Sequence, residues 1–426
     1  MPRKPENQRE IEIAEAAYWR VARPDLTTEA LASQLGLTRS TLERRLDAAK
    51  EKRWLAQDWI LKEAPSQLSE VLYKIEDSYL EQRVHEEYGK RNLPKLFVVP
   101  AWPPKGANPP ISEVEDPAKI NIRMVAHAAA NIFLQRLPQM KIVGLSYGRT
   151  LRVMVDIIAH LSLSVKRAME DHPSKGEMIM VTIFGSLSFR FDDPRHGDWL
   201  EYSASHLTNR LARILGTDIC KRQFLETPVY TPLTFLDLFA KKKNSKSNLS
   251  EISKIVGEKD ALQIAKAFVE AIPTYHDVFG KGQESMIEKL DTVITSVGDL
   301  DTGFGSLPRG EAAPFLRKEE IEALRDEDEA VGDIAGCYVT KDGTTGEPGS
   351  TIAKVNERLF GLKIANLEKI VSRAEENNSP GVIVIASSRR KARVISALLK
   401  RPDKVISELI ISGDLAEELV KEELVR

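Results

Sequence analysis

The feature that most constrains the fold is a series of short apolar segments separated by longer helical ones. Helical patterns fill the intervals, for example at 151–171, 251–272 and 389–400. Strands that are apolar on both faces and alternate with helices are typical of a doubly wound, mostly parallel sheet. We therefore predict an α/β domain over residues 93–426. The predicted strands are LPKLFVVPA (93–101), KIVGLSYG (141–148), MIMVTIFGS (178–186), LDTVITSVG (290–298), GVIVIASS (381–388) and ELIISGD (408–414).

Length and composition restrict the class of protein further. A chain of 426 residues is too long for one compact core, so we expect two or three domains. The formal net charge of -2 means that any DNA binding must come from a local patch. The two cysteines, Cys220 and Cys337, are far apart in the sequence, which favours two unpaired thiols in a reducing compartment. With no apolar run of roughly 18 residues and no secretion signal, we expect a cytoplasmic protein without a membrane partner.

The N-terminal 63 residues are predicted to form a helix-turn-helix domain. In TTEALASQLGLTRSTLERRL (27–46), Thr27 or Thr28 can cap one helix and Thr38 can cap the next. Gly36 lies between them, where a helix commonly ends with its following residue left-handed. Leucines at helical spacing give the two helices a common core. This spacing favours a DNA-reading head, although a helical hairpin without special function would show the same core.

The second helix of this pair carries the residues that we expect to contact DNA. The stretch from Arg39 to Arg53 contains six basic and three acidic residues, so it is locally positive in a slightly negative chain. Arginines can bind guanine edges or phosphates, and hydroxyls mostly fix phosphates. The predicted DNA-binding residues are Thr38, Arg39, Ser40, Thr41, Arg44, Arg45 and Lys50.

An amphipathic helix from Gln67 to Tyr88 lies in a predicted linker over 64–92 and is a candidate for dimerisation. Two segments have the composition of loops: the proline-rich stretch 101–119 and the basic stretch 241–250. The lysines of the second could touch phosphate, but we favour a solvated loop.

The order of these parts resembles the SorC family of sugar-responsive transcription regulators. The likeness spans nearly the whole chain and implies an effector domain with the fold of sugar-phosphate isomerases. It further implies that this domain binds a sugar or sugar phosphate without turnover, that the ligand changes operator binding, and that the protein is a homodimer or homotetramer. The similar stretches are 37–55, 80–100, VGLSYGRTL (143–151), LDTVITSVGDLD (290–301), AVGDIAGCYVTKDG (330–343, a turn after that strand), 358–371, 382–400 and 411–420.

The glycine-rich loop after the second strand is a candidate ligand site. A helix begins at its end, and free N–H groups at a helix N-terminus favour an anion such as a phosphate. A strand–glycine–helix junction is also needed for chain packing alone, so the loop by itself is weak support. The candidate residues are Gly144, Ser146, Tyr147, Gly148, Arg149 and Thr150.

Further candidate ligand residues follow later strands. Asp299 and Asp301 come at a carboxyl end, where open sheets bind ligands, and their carboxylates suit sugar hydroxyls. A solvated loop is an equal alternative for both. The resemblance places Asp333 near the sugar, although it can equally cap a turn. The resemblance also implies that Lys391 neutralises a phosphate or a sugar acid.

The sequence departs from the family pattern in two places. Two glycines are usual before the lysine, whereas this chain has Ser387 and Ser388. That change permits either an unusual ligand or a regulator that has lost ligand binding and acts through protein partners. The chain is also longer than is usual, with predicted insertions near 101–119 and 195–275.

The main alternative to a regulator is an isomerase-like or deaminase-like enzyme that keeps the chemistry of the fold. Such an enzyme needs a base poised over a sugar carbon, and none of the seven histidines falls in the candidate loops. No metal-ligand spacing stands out either. We therefore expect no catalytic residues, no metal and no cofactor, and a regulator that binds operator DNA and a small-molecule effector.

Overall fold

The computed structural model describes residues 6–23, 26–52, 54–55, 78–88, 93–99, 101, 117–170, 178–184, 199–216, 220–223, 258–280, 285–300, 316–326 and 330–424. The predictions for Asp301, for the basic stretch 241–250 and for 102–116 of the proline-rich stretch lie outside these residues.

The helices are α1 (Glu6–Ala22), α2 (Thr28–Gln34), α3 (Arg39–Glu51), α4 (Ser78–Tyr88), α5 (Pro117–Arg136), α6 (Arg149–His160), α7 (Ser162–Glu170), α8 (Trp199–Tyr202), α9 (Ala204–Leu215), α10 (Glu258–Glu270), α11 (Pro273–Phe279), α12 (Met286–Lys289), α13 (Lys318–Asp326), α14 (Thr351–Glu357), α15 (Ile364–Asn377), α16 (Ala392–Leu399) and α17 (Gly413–Leu424). The strands are β1 (Lys95–Val99), β2 (Ile142–Leu145), β3 (Met178–Thr182), β4 (Cys220–Gln223), β5 (Thr292–Thr295), β6 (Val297–Asp299), β7 (Ala330–Ile334), β8 (Cys337–Thr340), β9 (Gly381–Ala386) and β10 (Glu408–Ser412).

Helices α1 to α3 form the predicted helix-turn-helix fold. The Thr27 side chain accepts a hydrogen bond from the backbone N–H of Ala30 at 3.2 Å and thereby caps α2. Gly36 has a φ of +65°, the left-handed conformation that ends this helix. Thr38 then caps α3 through the N–H of Thr41 at 3.3 Å. The cap residues and the glycine therefore fix the angle at which the two helices meet.

The α/β part is built on a seven-stranded parallel sheet in the order β1-β10-β9-β5-β2-β3-β4. All six strands predicted from the sequence lie in it, so the predicted fold class is confirmed. Strand β4 was not predicted. It lies with α9 inside 195–275, where the two complete a strand–helix–strand unit beside β3.

Both faces of the sheet are buried, which explains why its strands lack polar alternation. In β9, Val382 and Val384 contribute to one apolar cluster, whereas Ile383 and Ile385 contribute to the other. Helices α15 to α17 line the first cluster, and α5, α6 and α9 line the second. Burial of these side chains stabilises the folded state by about 25 cal/mol for each Å² of apolar surface removed from water.

A second, antiparallel sheet in the order β6-β7-β8 follows β5. The expectation of a simple turn over 330–343 was wrong, because this stretch forms the hairpin β7–β8. Its two-residue turn, Ala335 and Gly336, has φ values of +49° and +82°. Positive φ at both positions matches the twist of a hairpin and explains the pairing of Ile334 with Cys337.

The described part of the predicted linker helix is α4, which packs on the C-terminal helix α17. The Tyr88 hydroxyl donates to the backbone carbonyl of Leu419 at 3.4 Å.

Within the described residues, no helix is both long enough and apolar enough to cross a membrane.

Candidate functional site

The candidate ligand site lies where the main sheet reverses its winding. Strands β2 and β5 are neighbours, yet the chain leaves β2 towards β3 on one side and β5 towards β9 on the other. At such a switch point the connections diverge and leave a crevice at the carboxyl ends of the strands. The loop after β2, the β5–β6 junction and the turn after β9 all meet at this edge.

The loop after β2 leads directly into the N-terminus of α6. Gly148 is the N-cap residue with a φ of +139°, a conformation that favours glycine. Arg149 is exposed, whereas Thr150 is buried. Gly144 lies within β2, where an added Cβ would stand 2.6 Å from Cγ2 of Ile183. Gly144 is therefore needed for close strand packing.

Tyr147 and Asp333 are brought together across the site. The Tyr147 hydroxyl donates to Asp333 Oδ2 at 3.1 Å, and both residues are buried. The same oxygen accepts the backbone N–H of Gly336 at 3.0 Å, so Asp333 also caps the hairpin turn. The Tyr147 ring stacks on Phe184 with 4.2 Å between centroids. These contacts tie the glycine-rich loop to the antiparallel sheet.

The hydrogen bond between Tyr147 and Asp333 is expected to stabilise the fold. Changing Tyr147→Phe removes the hydroxyl but keeps the ring, and it leaves the buried Asp333 carboxylate with one donor fewer. Hydrogen bonds to charged groups contribute about 1.5–3 kcal/mol, so we expect the free energy of unfolding to fall by about 2 kcal/mol. Urea denaturation measures this change. A loss below roughly 0.5 kcal/mol would show that the hydroxyl does not support the carboxylate.

Lys391 reaches the β5–β6 junction from the turn after β9. Its amino group donates to Ser296 Oγ at 3.1 Å. Burial lowers the pKa of Lys391 to about 8, against the opposing charge of Asp299, while Arg149 lowers this pKa further. Ser296 also lies beside Gly148, which precedes Arg149, and β6 pairs with β7 at Asp333. The loop after β2, the β5–β6 junction and the turn after β9 therefore bring Arg149, Asp299, Asp333 and Lys391 to one edge of the sheet.

The two serines that replace the usual glycines lie beside this lysine. Ser387 is buried, and Ser388 has a φ of +105°, a conformation that L side chains rarely adopt. The carbonyl of Ser388 accepts the N–H of Lys391 at 3.1 Å. A non-glycine residue held in such a region costs on the order of 1–3 kcal/mol. At Ser388 the chain thus keeps a glycine-type backbone with a serine side chain added to it.

Several residues of the site were missed in the sequence analysis. Ser296 directly follows β5, so the rule that placed Asp299 at a carboxyl end could have found it. Phe184 and Tyr202 had no local signal, because they reach the loop from other parts of the chain. Ser146 was predicted; its hydroxyl is buried and has no hydrogen-bond partner among the described residues.

Six of the seven predicted DNA-binding residues lie on the N-terminal half of α3 or on its cap, and Lys50 lies near its end. Thr38, Arg39, Ser40 and Arg44 are exposed, and Thr41 is half-buried. Arg39 Nε pairs with Glu43 at 2.8 Å, and Arg44 Nη2 donates to Thr41 Oγ1 at 3.4 Å. Two guanidinium groups, those of Arg39 and Arg44, therefore stand on the exposed surface of α3.

Two predicted residues lie differently. Arg45 pairs with Glu12 of α1 at 2.7 Å, with only 18% of each side chain exposed, so it joins α3 to α1. Lys50 is half-buried near the end of α3 and pairs with Asp47 at 3.5 Å. Nearby, Lys52 pairs with Glu10 at 2.7 Å, which makes a second link to α1.

Comparison with known proteins now adds to this geometry. Residues 281–421 match the family model Sugar-bind, described as "Putative sugar-binding domain". The matched range contains β5 to β10 and thus the positions of Ser296, Asp299, Asp333 and Lys391. No curated protein matches the chain in sequence.

Solved structures extend the likeness to the whole chain. The full-length sorbitol operon regulator SorC from Klebsiella pneumoniae aligns with 98% of this chain and 100% of its own, at 16% identity and a TM-score of 0.51. A domain of a "possible sugar-binding transcriptional regulator" from Arthrobacter aurescens TC1 covers 80% of this chain and 97% of its own, at 17% identity and a TM-score of 0.50. The chain has the fold of full-length SorC, and the resemblance seen in the sequence is confirmed.

Proposed function

We propose that this protein is a DNA-binding transcriptional regulator whose operator affinity is controlled by a sugar or sugar phosphate. The observation that carries the proposal is the presence, in one chain, of a helix-turn-helix with an exposed basic α3 and a cluster of charged residues at the switch point of an α/β sheet. The Sugar-bind match and the regulators with the same fold support it.

The chemistry of the crevice supports an anionic, hydroxyl-rich effector. Arg149 at the N-terminus of α6 and Lys391 supply positive charge, and the N–H groups of the first turn add to it. Asp299 and the buried hydroxyl of Ser146 can bind sugar hydroxyls. Ser146, Tyr147, Gly148, Thr150, Asp333 and, outside the described residues, Asp301 complete the proposed site.

The geometry favours binding over turnover. The Asp333 carboxylate already accepts two hydrogen bonds, from Tyr147 and Gly336, so it is held in place and is poorly suited to move a proton. Among the described residues, no group of three or more His, Cys, Asp or Glu side chains could hold a metal ion. We propose a protein without catalytic activity.

We further propose a three-part organisation and a homodimer or homotetramer. The parts are a DNA-binding domain over 1–63, a linker over 64–92 and an effector domain over 93–426. A single reading head contacts few base pairs, and two heads in one oligomer match two half-sites of a palindromic operator.

A chain of contacts links the crevice to the reading head within one protomer. Helix α6 starts at the loop after β2 and packs against α5, which carries His127. The His127 ring meets the Tyr18 ring of α1 edge-on, with 6.2 Å between centroids. Helix α1 in turn holds α3 through Glu12 and Arg45. A shift of α6 on effector binding can therefore bias the position of α3.

His127 also makes this junction sensitive to acid. Burial lowers its pKa to about 4, and the charges of Arg123 and His160 lower it further. The unfolded chain takes up this proton below pH 6.5 while the folded protein does not. Stability is therefore lost as the pH falls from about 6.5 to 4, by roughly 3 kcal/mol in total. Urea denaturation across this range should show the loss, and His127→Leu should remove it, whereas His160→Gln, which removes only the smallest of the three causes, should reduce it much less.

The proposed function is tested by selecting fragments of the source genome on the purified protein and measuring their binding by fluorescence anisotropy. The measurement is repeated in a salt series and with a panel of hexose and pentose phosphates and sugar acids. We expect tight, sequence-specific binding whose affinity changes with one member of the panel. Weak binding without sequence preference would contradict the regulator. Specific binding that no panel member alters would support a regulator that has lost its ligand.

A further inference from the structure

The ligand loop is held by a residue from a different part of the chain. The backbone N–H of Gly148 donates to the carbonyl of Tyr202 at 3.1 Å. Tyr202 ends the short helix α8, in the connection between β3 and β4. An N–H group that precedes α6 is therefore already satisfied by protein, and the position of α8 determines where this N-cap residue lies.

Arg152, one turn into α6, fixes the same tyrosine a second time. Its Nη1 donates to the Tyr202 hydroxyl at 3.1 Å, and its guanidinium carbon lies 5.1 Å from the centroid of the tyrosine ring. Nη2 also pairs with Glu201 Oε2 at 2.5 Å. The side chain of Arg152 is 30% exposed. A planar guanidinium that stacks on a ring and bonds its hydroxyl holds both groups in one geometry.

We propose that Arg152 and Tyr202 form a latch that positions the ligand loop 146–150 and thereby sets the affinity for an anionic effector. This inference rests on the proposed function. An anion at the start of α6 is bound by N–H groups whose directions depend on the backbone of Gly148, where glycine itself imposes little restraint. The latch supplies that restraint from outside the loop, so that the free loop already resembles the bound one. Arg152 and Tyr202 are positioning residues that need no contact with the ligand.

The latch is tested with Arg152→Ala and Tyr202→Ala, which remove the stacked pair, and with Tyr202→Phe, which keeps the ring. Lys166→Ala is the control, because it removes a positive charge from an exposed i,i+4 pair with Glu170 on the neighbouring α7. Two quantities are measured on the full chain: amide hydrogen exchange over 146–152 without ligand, and the dissociation constants of inorganic phosphate and of the sugar phosphates that bind the wild type.

In both alanine variants we expect exchange over 146–152 to rise at least about tenfold and affinity to fall about tenfold, which corresponds to 1.4 kcal/mol. Tyr202→Phe should lie between these variants and the wild type, and Lys166→Ala should match the wild type. Effector-free DNA affinity should not change. A merely stabilising contact would lower the melting temperature and leave the dissociation constants unaltered.

Unchanged exchange in the alanine variants would overturn the latch, as would raised exchange with unaltered dissociation constants. A wild type that binds no member of the panel would instead contradict the sensor in the proposed function. The exchange measurement would still decide whether Arg152 and Tyr202 hold the loop, so the two failures are distinguishable.

Discussion

Replacing Arg39 and Arg44 together with alanine is expected to weaken operator binding at least about 100-fold. Each guanidinium that reaches a base edge or a phosphate contributes on the order of 1–3 kcal/mol. Both side chains are exposed on α3, and the Arg39–Glu43 surface pair is weak enough to yield to a phosphate. Fluorescence anisotropy in a salt series measures the loss, and the slope of log affinity against log salt should fall by about two.

Charge alone cannot explain such a result if Lys166→Ala/Lys369→Ala binds as the wild type does. This control removes two positive charges at exposed positions on α7 and α15. Arg45→Ala is a second comparison. Because Arg45 pairs with Glu12, we expect Arg45→Ala to lower the free energy of unfolding of the helix-turn-helix. The slope of log affinity against log salt should change little. Equal binding by the Arg39/Arg44 variant and the charge control would refute α3 as the reading helix.

Changing Lys391→Met is expected to leave operator binding intact and to abolish its response to the effector. The methionine keeps the volume of the side chain but removes the charge that faces an anion in the crevice and the bond to Ser296. An uncompensated phosphate beside Asp299 is repelled, so the effector dissociation constant should rise at least about tenfold. Calorimetric titration measures this constant, and anisotropy with saturating effector measures the response.

The pH dependence of effector affinity is a second, independent test of the role of Lys391. The pKa of Lys391 is lowered to about 8, so the free protein loses this charge as the pH rises from 7 to 9. Affinity for an anionic effector should therefore fall over this range in the wild type and stay level in Lys391→Met. An effector that binds both proteins equally at pH 7, or a wild-type affinity that does not fall by pH 9, would exclude Lys391 from the site.

Local sequence patterns were sufficient for the six predicted strands of the main sheet and for the ends of the capped helices. Apolar runs such as 381–388 predicted buried parallel strands, since burial on both faces leaves no polar alternation in a strand. Thr38 and Gly36 predicted the helix ends, because caps and left-handed turns depend on residues only a few positions apart. The loop after β2 was predicted from its glycines and the helix that begins at its end, and Asp299 from its position at the carboxyl end of a strand. Whether these residues bind ligand or DNA remains a prediction.

The sequence by itself therefore determined the class of fold, the ends of the two capped helices α2 and α3 and the edge of the sheet at which the candidate site lies, because these depend on period and local chemistry. Only the tertiary structure decided how each side chain is used. It turned Arg45 towards Glu12, placed Asp333 between Tyr147 and Gly336, and brought Tyr202 to the ligand loop. Partners separated by 33, 186 and 54 positions leave no mark on one another in the sequence. Their contacts exist only once the strand order has brought distant segments together.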